Sequence, residues 1–307
     1  MNEPFIEPVK ENGLRDSLLI SAQDLAEGLQ REAALPVAKA PAGAPPWVVV
    51  DCRFNLQQPD AGWQAYRSEH IPGAWYADLD WDLSAQRGID TGRHPLPDPE
   101  VLRVFFGRLG ITPAARVVVY DEAGGGLAAR LWWLLRWMGH RQVVLLDGGF
   151  AAWQKAGLPL SDAIPDPRNE RFTGTFGHMP VINTPEILAA LAGNSIRLLD
   201  VRAEERFLGR VEPIDTVAGH VPGALNVPFA GNLGPDQQFH STEHLAQRYG
   251  PIVEGRHPGA IVCMCGSGVT ACHGVFALEL AGVPGVALYP GSWSEWIRSK
   301  DRPVATE

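Results

Sequence analysis

Cysteine is scarce in this chain: Cys52, Cys263, Cys265 and Cys272 are the four in 307 residues. So few in so long a chain make no disulfide framework, and a reducing cytoplasm is the expected compartment. No apolar run approaches the roughly 20 residues of a membrane span. The segment Met1 to Ser17 is polar and has no apolar signal region. Positive charge is also short, 26 Lys and Arg against 35 Asp and Glu, for a net charge of −9. That balance argues against a nucleic-acid or anionic-membrane surface. What the chain does have is length for two ordinary domains and 45% hydrophobic residues to build their cores.

The chain repeats itself. Val48-Val49-Val50-Asp51-Cys52-Arg53 matches Arg197-Leu198-Leu199-Asp200-Val201-Arg202. Glu69-His70-Ile71-Pro72-Gly73-Ala74 matches Gly219-His220-Val221-Pro222-Gly223-Ala224. Val117 to Asp121 aligns with Ile261 to Cys265, and Gly148-Gly149-Phe150 with Gly291-Ser292-Trp293. Matches in one order at a spacing of 143 to 150 residues mean a tandem duplication, not a solenoid. Each copy alternates short apolar strands with helices, the main ones expected over 127–138 and 269–281. The fold class expected is therefore α/β: two tandem domains, each a parallel sheet with helices on both faces. The expected boundaries are 14–157 and 181–304, with a Pro- and Gly-containing linker over 158–180. A second irregular stretch, Pro36 to Pro46, is expected as a loop. Trp132, Trp133 and Trp137 on the first helix are expected to pack in a core or domain interface.

The chemistry concentrates at Cys265-Gly266-Ser267-Gly268-Val269-Thr270. An apolar strand precedes this loop and a helix follows it. Glycines there let successive N–H groups turn inward at the positive end of the helix, which makes an anion-holding nest. A cysteine in that field is expected to react as a thiolate; the plain alternative is a small buried core residue. The first copy has Asp121 at this position, which cannot act as a sulfur nucleophile. One copy is thus expected to be catalytic and the other to support it and wall the site. Two rival chemistries fit poorly. A cysteine phosphatase needs an arginine six residues after the cysteine, where Ala271 stands. A metal site drawn from Cys263, Cys265, Cys272 and His273 lacks the usual ligand spacing, so no metal is expected.

These features resemble the rhodanese superfamily, and the loop resembles its 3-mercaptopyruvate sulfurtransferase branch. Asp200-x-Arg202, Arg206-Phe207, the His220 turn and Gly291 to Trp296 carry the likeness from about Leu18 to about Val304. The resemblance implies a sulfurtransferase without a cofactor, in which Cys265 takes a sulfur from a small-molecule donor as a persulfide. A thiol, cyanide or thioredoxin-like acceptor then removes it. The N–H groups of residues 266–270, including Gly266, Gly268, Val269 and Thr270, are expected to stabilise the anionic persulfide. Ser267 and Thr270 add hydroxyls, although Thr270 serves equally well as a helix cap.

The neutral loop favours 3-mercaptopyruvate over the thiosulfate dianion. The alternatives are a thiosulfate:cyanide sulfurtransferase and a non-turnover sulfur carrier or regulatory module. The resemblance implies two arginines for the donor carboxylate. Arg206 matches the first, with an ion pair to Glu204 or Glu205 as its plain reading; Asp215 stands in place of the second. Arg210 is a candidate substitute. The resemblance also implies a first-domain histidine working with the loop serine. His70 is placed in that role, with His94 as a second candidate at the domain interface.

Overall fold

The computed structural model describes residues 11–34, 46–168 and 170–307. Apart from Pro46, the stretch read as a loop from Pro36 to Pro46 lies outside the described residues. The first copy comprises α1 (Glu11–Leu18), β1 (Leu19–Ile20), α2 (Ala22–Ala34), β2 (Trp47–Asp51), α3 (Asp60–Ser68), β3 (Trp75–Tyr76), α4 (Pro99–Arg108), β4 (Arg116–Tyr120), α5 (Ala128–Trp137), β5 (Val143–Leu146) and α6 (Gly149–Lys155). The second comprises α7 (Thr184–Ala192), β6 (Arg197–Asp200), α8 (Glu204–Phe207), β7 (Leu225–Asn226), α9 (Thr242–Val253), β8 (Ile261–Met264), α10 (Thr270–Leu280), β9 (Ala287–Leu288) and α11 (Ser292–Trp296).

Every strand pair is parallel, in the orders β1-β5-β4-β2-β3 and β7-β6-β8-β9. The duplication is visible strand by strand, since β2 with β4 repeats as β6 with β8. The first sheet's edge strand β1 is matched in the second by a single parallel bridge, Val181 to Leu288. Valine runs such as Val48 to Val50 suit strands covered on both faces, because branched side chains pack well there.

Each sheet has its own helices on one face and shares the other. One core cluster runs through both copies, while Phe150 and Trp153 belong to a first-copy cluster and Trp293 and Trp296 to a second-copy cluster. Between the sheets α5 packs on α10, with Trp132 edge-on to Phe276 at 4.9 Å. Every residue of α10 from Ala271 to Leu280 is buried, as expected of a helix that is apolar all round. The expected interface tryptophans Trp132 and Trp133 are fully buried here.

The two Asp-x-Arg motifs do one structural job twice. Asp51 and Arg53 form a buried ion pair at 2.7 Å, and so do Asp200 and Arg202. Each arginine also donates to a carbonyl at its His-x-Pro-Gly turn, Glu69 O and Gly219 O. Each lies over an aromatic ring, Phe150 and Trp293. The connecting segment wraps over the first copy as a strap. Ser161 bridges His70, Arg168 N–H donates to Arg108 O, His178 N–H donates to Trp137 O, and Phe172 and Met179 are buried.

Candidate active site

β8 ends at Met264 and α10 begins at Thr270, so Cys265 falls at the carboxyl end of a central strand, where ligands of parallel sheets sit. Its Sγ accepts a hydrogen bond from Gly268 N–H at 3.1 Å. Gly268 has φ +80°, and a Cβ there would overlap the Pro290 carbonyl; glycine is required for the turn itself. The Gly291 to Trp296 element holds the loop from behind. Cys265 N–H donates to Ser292 Oγ at 3.1 Å, Trp293 N–H to Cys265 O at 3.0 Å, and Ser294 N–H to Gly266 O at 2.8 Å. Ser292 itself has φ +52°. Val269, not Thr270, occupies the N-cap position of α10; Thr270 is the first helical residue and lines the cavity.

That cavity, about 160 Å³, lies between the copies. The first contributes Phe54, Leu56, Leu79, Arg93, His94 and Leu127; the second contributes Arg206, Ile214, Cys265, Gly266, Ser267, Val269 and Thr270. Its lining is mostly apolar, with Arg93 and Arg206 as its cationic groups.

The histidine at the loop is His94. Its Nδ1 lies 2.7 Å from Ser267 Oγ, and its Nε2 lies 3.2 Å from Asp80 Oδ1, off the line of a well-aligned hydrogen bond. Burial pulls its pKa below the ordinary 6.5, against the opposing pull of Asp80, and the imidazole is neutral at pH 7. The placement of His70 is corrected. Its Nδ1 faces Tyr66 O at 2.7 Å, its Nε2 faces Ala163 O at 3.1 Å, and its ring stacks on Tyr66. It is fully buried under the strap. Its twin His220 does the same at Phe207, so both histidines of the repeat hold turns.

Arg206 lines the cavity but does not pair with Glu204 or Glu205. It forms a forked contact with Glu212 at 2.8–3.2 Å and reaches Asp215 at 3.1 Å. Arg210 does not stand in as the second arginine: its side chain is 59% exposed and lies 3.7 Å from Glu307. Asp215 instead holds Arg93 of the first copy at 2.8 Å. Arg93 Nη2 and Arg206 Nη1 converge on Gly266; a Cβ built there would sit 3.4 and 3.6 Å from them. Arg93 Nε is buried without a partner.

Sequence reasoning missed Arg93 and Asp80. The signal for Arg93 was its place next to the interface candidate His94. Asp80, in a loop of unrelated sequence, had none. The other loop-region cysteines and His273 are engaged elsewhere. Cys272 donates to Gly268 O at 3.3 Å, Cys263 is buried within β8, and His273 Nε2 lies 3.2 Å from Gly124 O.

The rhodanese-like domain family matches residues 35–156 and 184–299. A probable 3-mercaptopyruvate sulfurtransferase of Pseudomonas aeruginosa is 49% identical over 265 residues, 85% of this chain and 93% of that one. A putative thiosulfate sulfurtransferase, SseB, of Mycobacterium tuberculosis is 37% identical over 294 residues, 94% of this chain and 97% of that one. The crystal structure of SseA from Escherichia coli, a 3-mercaptopyruvate sulfotransferase, superposes with a TM-score of 0.73 at 32% identity, covering 90% of this chain and 98% of that one. No helix among the described residues is long and apolar enough to cross a membrane. With a domain match in each half and a duplicated sheet, the chain belongs to the rhodanese-like family, among its tandem-domain sulfurtransferases.

Proposed function

We propose that the protein moves a sulfane sulfur from 3-mercaptopyruvate to a thiol or cyanide acceptor through a persulfide on Cys265. The observation that carries this reading is the pair of guanidinium edges beside the reacting sulfur. Arg93 Nη2 and Arg206 Nη1 face one small cavity with Cys265. A carboxylate bridging them leaves a three-carbon donor's sulfur free to meet Sγ.

The step balances without a cofactor. Cys265 thiolate attacks the donor sulfur and an S–S bond forms. The carbon–sulfur bond breaks, and its electron pair goes to the methylene carbon as pyruvate enolate. The donor's thiol proton ends on that carbon, which gives pyruvate and leaves the persulfide as an anion. Ser267 and His94 provide the proton path; a neutral imidazole both accepts and returns a proton, and Asp80 supports the charged form in transit. The Gly268 N–H and the free N-terminal N–H groups of α10 receive the persulfide charge. An acceptor thiolate or cyanide then attacks the outer sulfur and regenerates Cys265.

Charge favours this donor over thiosulfate. Arg93 and Arg206 are already matched by Glu212 and Asp215, so the site suits a monoanion better than a dianion. Thiosulfate:cyanide transfer is the second reading, and the same guanidinium edges support it by receiving a sulfonate. The test is parallel kinetics on both donors, with mass spectrometry of the donor-treated chain. We expect the higher kcat/KM with mercaptopyruvate and one added sulfur on the Cys265 peptide. Added sulfur on Cys52, Cys263 or Cys272 would refute the assignment.

A further inference from the structure

Arg130 of α5 is a buried cation without a carboxylate. It is fully buried, and its guanidinium donates only to carbonyl oxygens: Leu83 O, Gly268 O, His94 O and Pro95 O at 3.1–3.2 Å. Among the described residues no acidic group lies within ion-pair distance of it. A guanidinium keeps its proton even when desolvated, and a buried charge left uncompensated is costly. The fold therefore carries a fixed positive charge directly beneath the reactive loop.

We propose that Arg130 is a positioning residue by which the inert copy furnishes the counter-charge for the Cys265 thiolate and its persulfide. The inference rests on Cys265 being the reacting sulfur. Two sulfurs lie near this charge, those of Cys272 and Cys265. Burial pushes the Cys272 thiol up to about 12, against the opposing pull of Arg130, and it spends its proton on Gly268 O. Cys265 remains, with Sγ held by the N–H of Gly268, whose carbonyl Arg130 grips. The peptide so gripped carries the Val269 N–H at its other end. That group corresponds to the Leu127 N–H, which in the first copy binds the Asp121 carboxylate at 2.7 Å. Arg130 thus polarises the N–H that stands where the first copy binds its anion, and its bonds to His94 O and Pro95 O tie the histidine segment to the same loop. The other titratable or charged groups around the sulfur are His94 and Arg93 from the segment before α4, Arg206 from α8, and Asp80 behind His94.

The test is the pH dependence of iodoacetamide alkylation of Cys265 in the full chain, in wild type, Arg130→Met and Arg130→Lys. In Arg130→Met the pH of half-maximal alkylation should rise by about one unit or more, the ordinary effect of removing a nearby opposite charge. In Arg130→Lys it should stay near wild type even if the melting temperature falls, which separates charge from packing. An unchanged profile in folded Arg130→Met, or equal shifts in both variants, would overturn the proposal. If Arg130→Met does not fold, the wild type supplies the measurement. The stability gap between wild type and Cys265→Ala should widen from pH 6 to pH 9, as the thiolate forms against Arg130. A constant gap counts against the proposal. Sulfur transfer by the wild type is scored separately; if transfer proceeds while these signatures are missing, the sulfurtransferase reading stands and only the role of Arg130 fails.

Discussion

The two strand-to-helix loops of the duplication use their inward-turned N–H groups differently. In the first, the Asp121 carboxylate turns back into its own loop and accepts N–H groups of Ala123, Gly125, Leu127 and Ala128 at 2.7–2.9 Å. In the second, the turn from Met264 to the N-cap Val269 is shorter than that from Tyr120 to Leu127, and Cys265 stands at its start. The backbone at this junction turns N–H groups inward in both copies. In the first copy they close on the Asp121 carboxylate; in the second, Gly268 N–H meets Cys265 Sγ. On the proposed function the second cradle is kept for the persulfide, and little separates the two junctions: a sulfur for a carboxylate, a tighter turn, and an arginine and a histidine brought in by the neighbouring copy.

The comparison breaks most sharply at its centre. Cys265→Ser should reduce transfer by more than about a thousandfold on either donor, because a hydroxyl forms no persulfide. Its readouts are the rate of pyruvate release from mercaptopyruvate or of sulfite release from thiosulfate, and the loss of the added sulfur by mass spectrometry. Residual turnover within tenfold of wild type would mean that the first copy or another cysteine carries sulfur.

The lent histidine comes next. His94→Ala should lower kcat by about a hundredfold or more, the usual loss of a positioned acid–base group. Burial holds the His94 pKa below the ordinary imidazole value, so the acid limb of the rate should fall at lower pH than a free imidazole would give. Asp80 pulls the pKa upward, so Asp80→Asn should move that acid limb to lower pH. A limb that stays put in Asp80→Asn would remove Asp80 from the proton path.

The repeat, the parallel sheets and the sulfur loop were legible because each rests on short-range chemistry. Valine runs make strands, Asp-x-Arg makes a local ion pair, and glycines make a cradle. What was not legible came across the domain interface. Arg93 and Asp215 meet from positions far apart in sequence, and Asp215 reads alone as a lost arginine when it is the yoke of two. His70 and His94 are both first-copy histidines within two residues of a proline, and only the packed sheets show that one lies under the strap and the other at Ser267. The repeat itself argued for the structural reading of His70, since His220 has the same surroundings without a site.

The yoke predicts a smaller, donor-specific effect. Arg206→Ala and Arg93→Ala should each cost about 1.5–3 kcal/mol in kcat/KM for mercaptopyruvate, mainly through KM. Asp215→Arg should weaken rather than improve donor use, because it sets a third cation against two. Improved KM in Asp215→Arg would mean that Arg93 points away from the donor. Asp121→Ala sharpens the same contrast from the other copy. It strands four N–H groups, two of them buried, and should cost about 2–3 kcal/mol of stability, while kcat/KM per folded molecule stays within about threefold. Thermal melts and rates on the same samples separate the two quantities.

The smallest expected effect compares the twin histidines directly. His70 and His220 each place Nδ1 2.7 Å from a carbonyl and stack on an aromatic ring, Tyr66 and Phe207. Neither lines the cavity at Cys265. Alanine at either position removes the Nδ1 contact and one ring contact, and at His70 also the Nε2 contact to Ala163 O; each should cost about 1–2 kcal/mol of stability. The two losses should match within about 1 kcal/mol and should add in the double variant, since the turns belong to separate sheets. Rates per folded molecule should stay near wild type in both. A drop in kcat for His70→Ala alone, at a stability loss equal to that of His220→Ala, would return His70 to the catalytic path and break the symmetry on which its structural role rests.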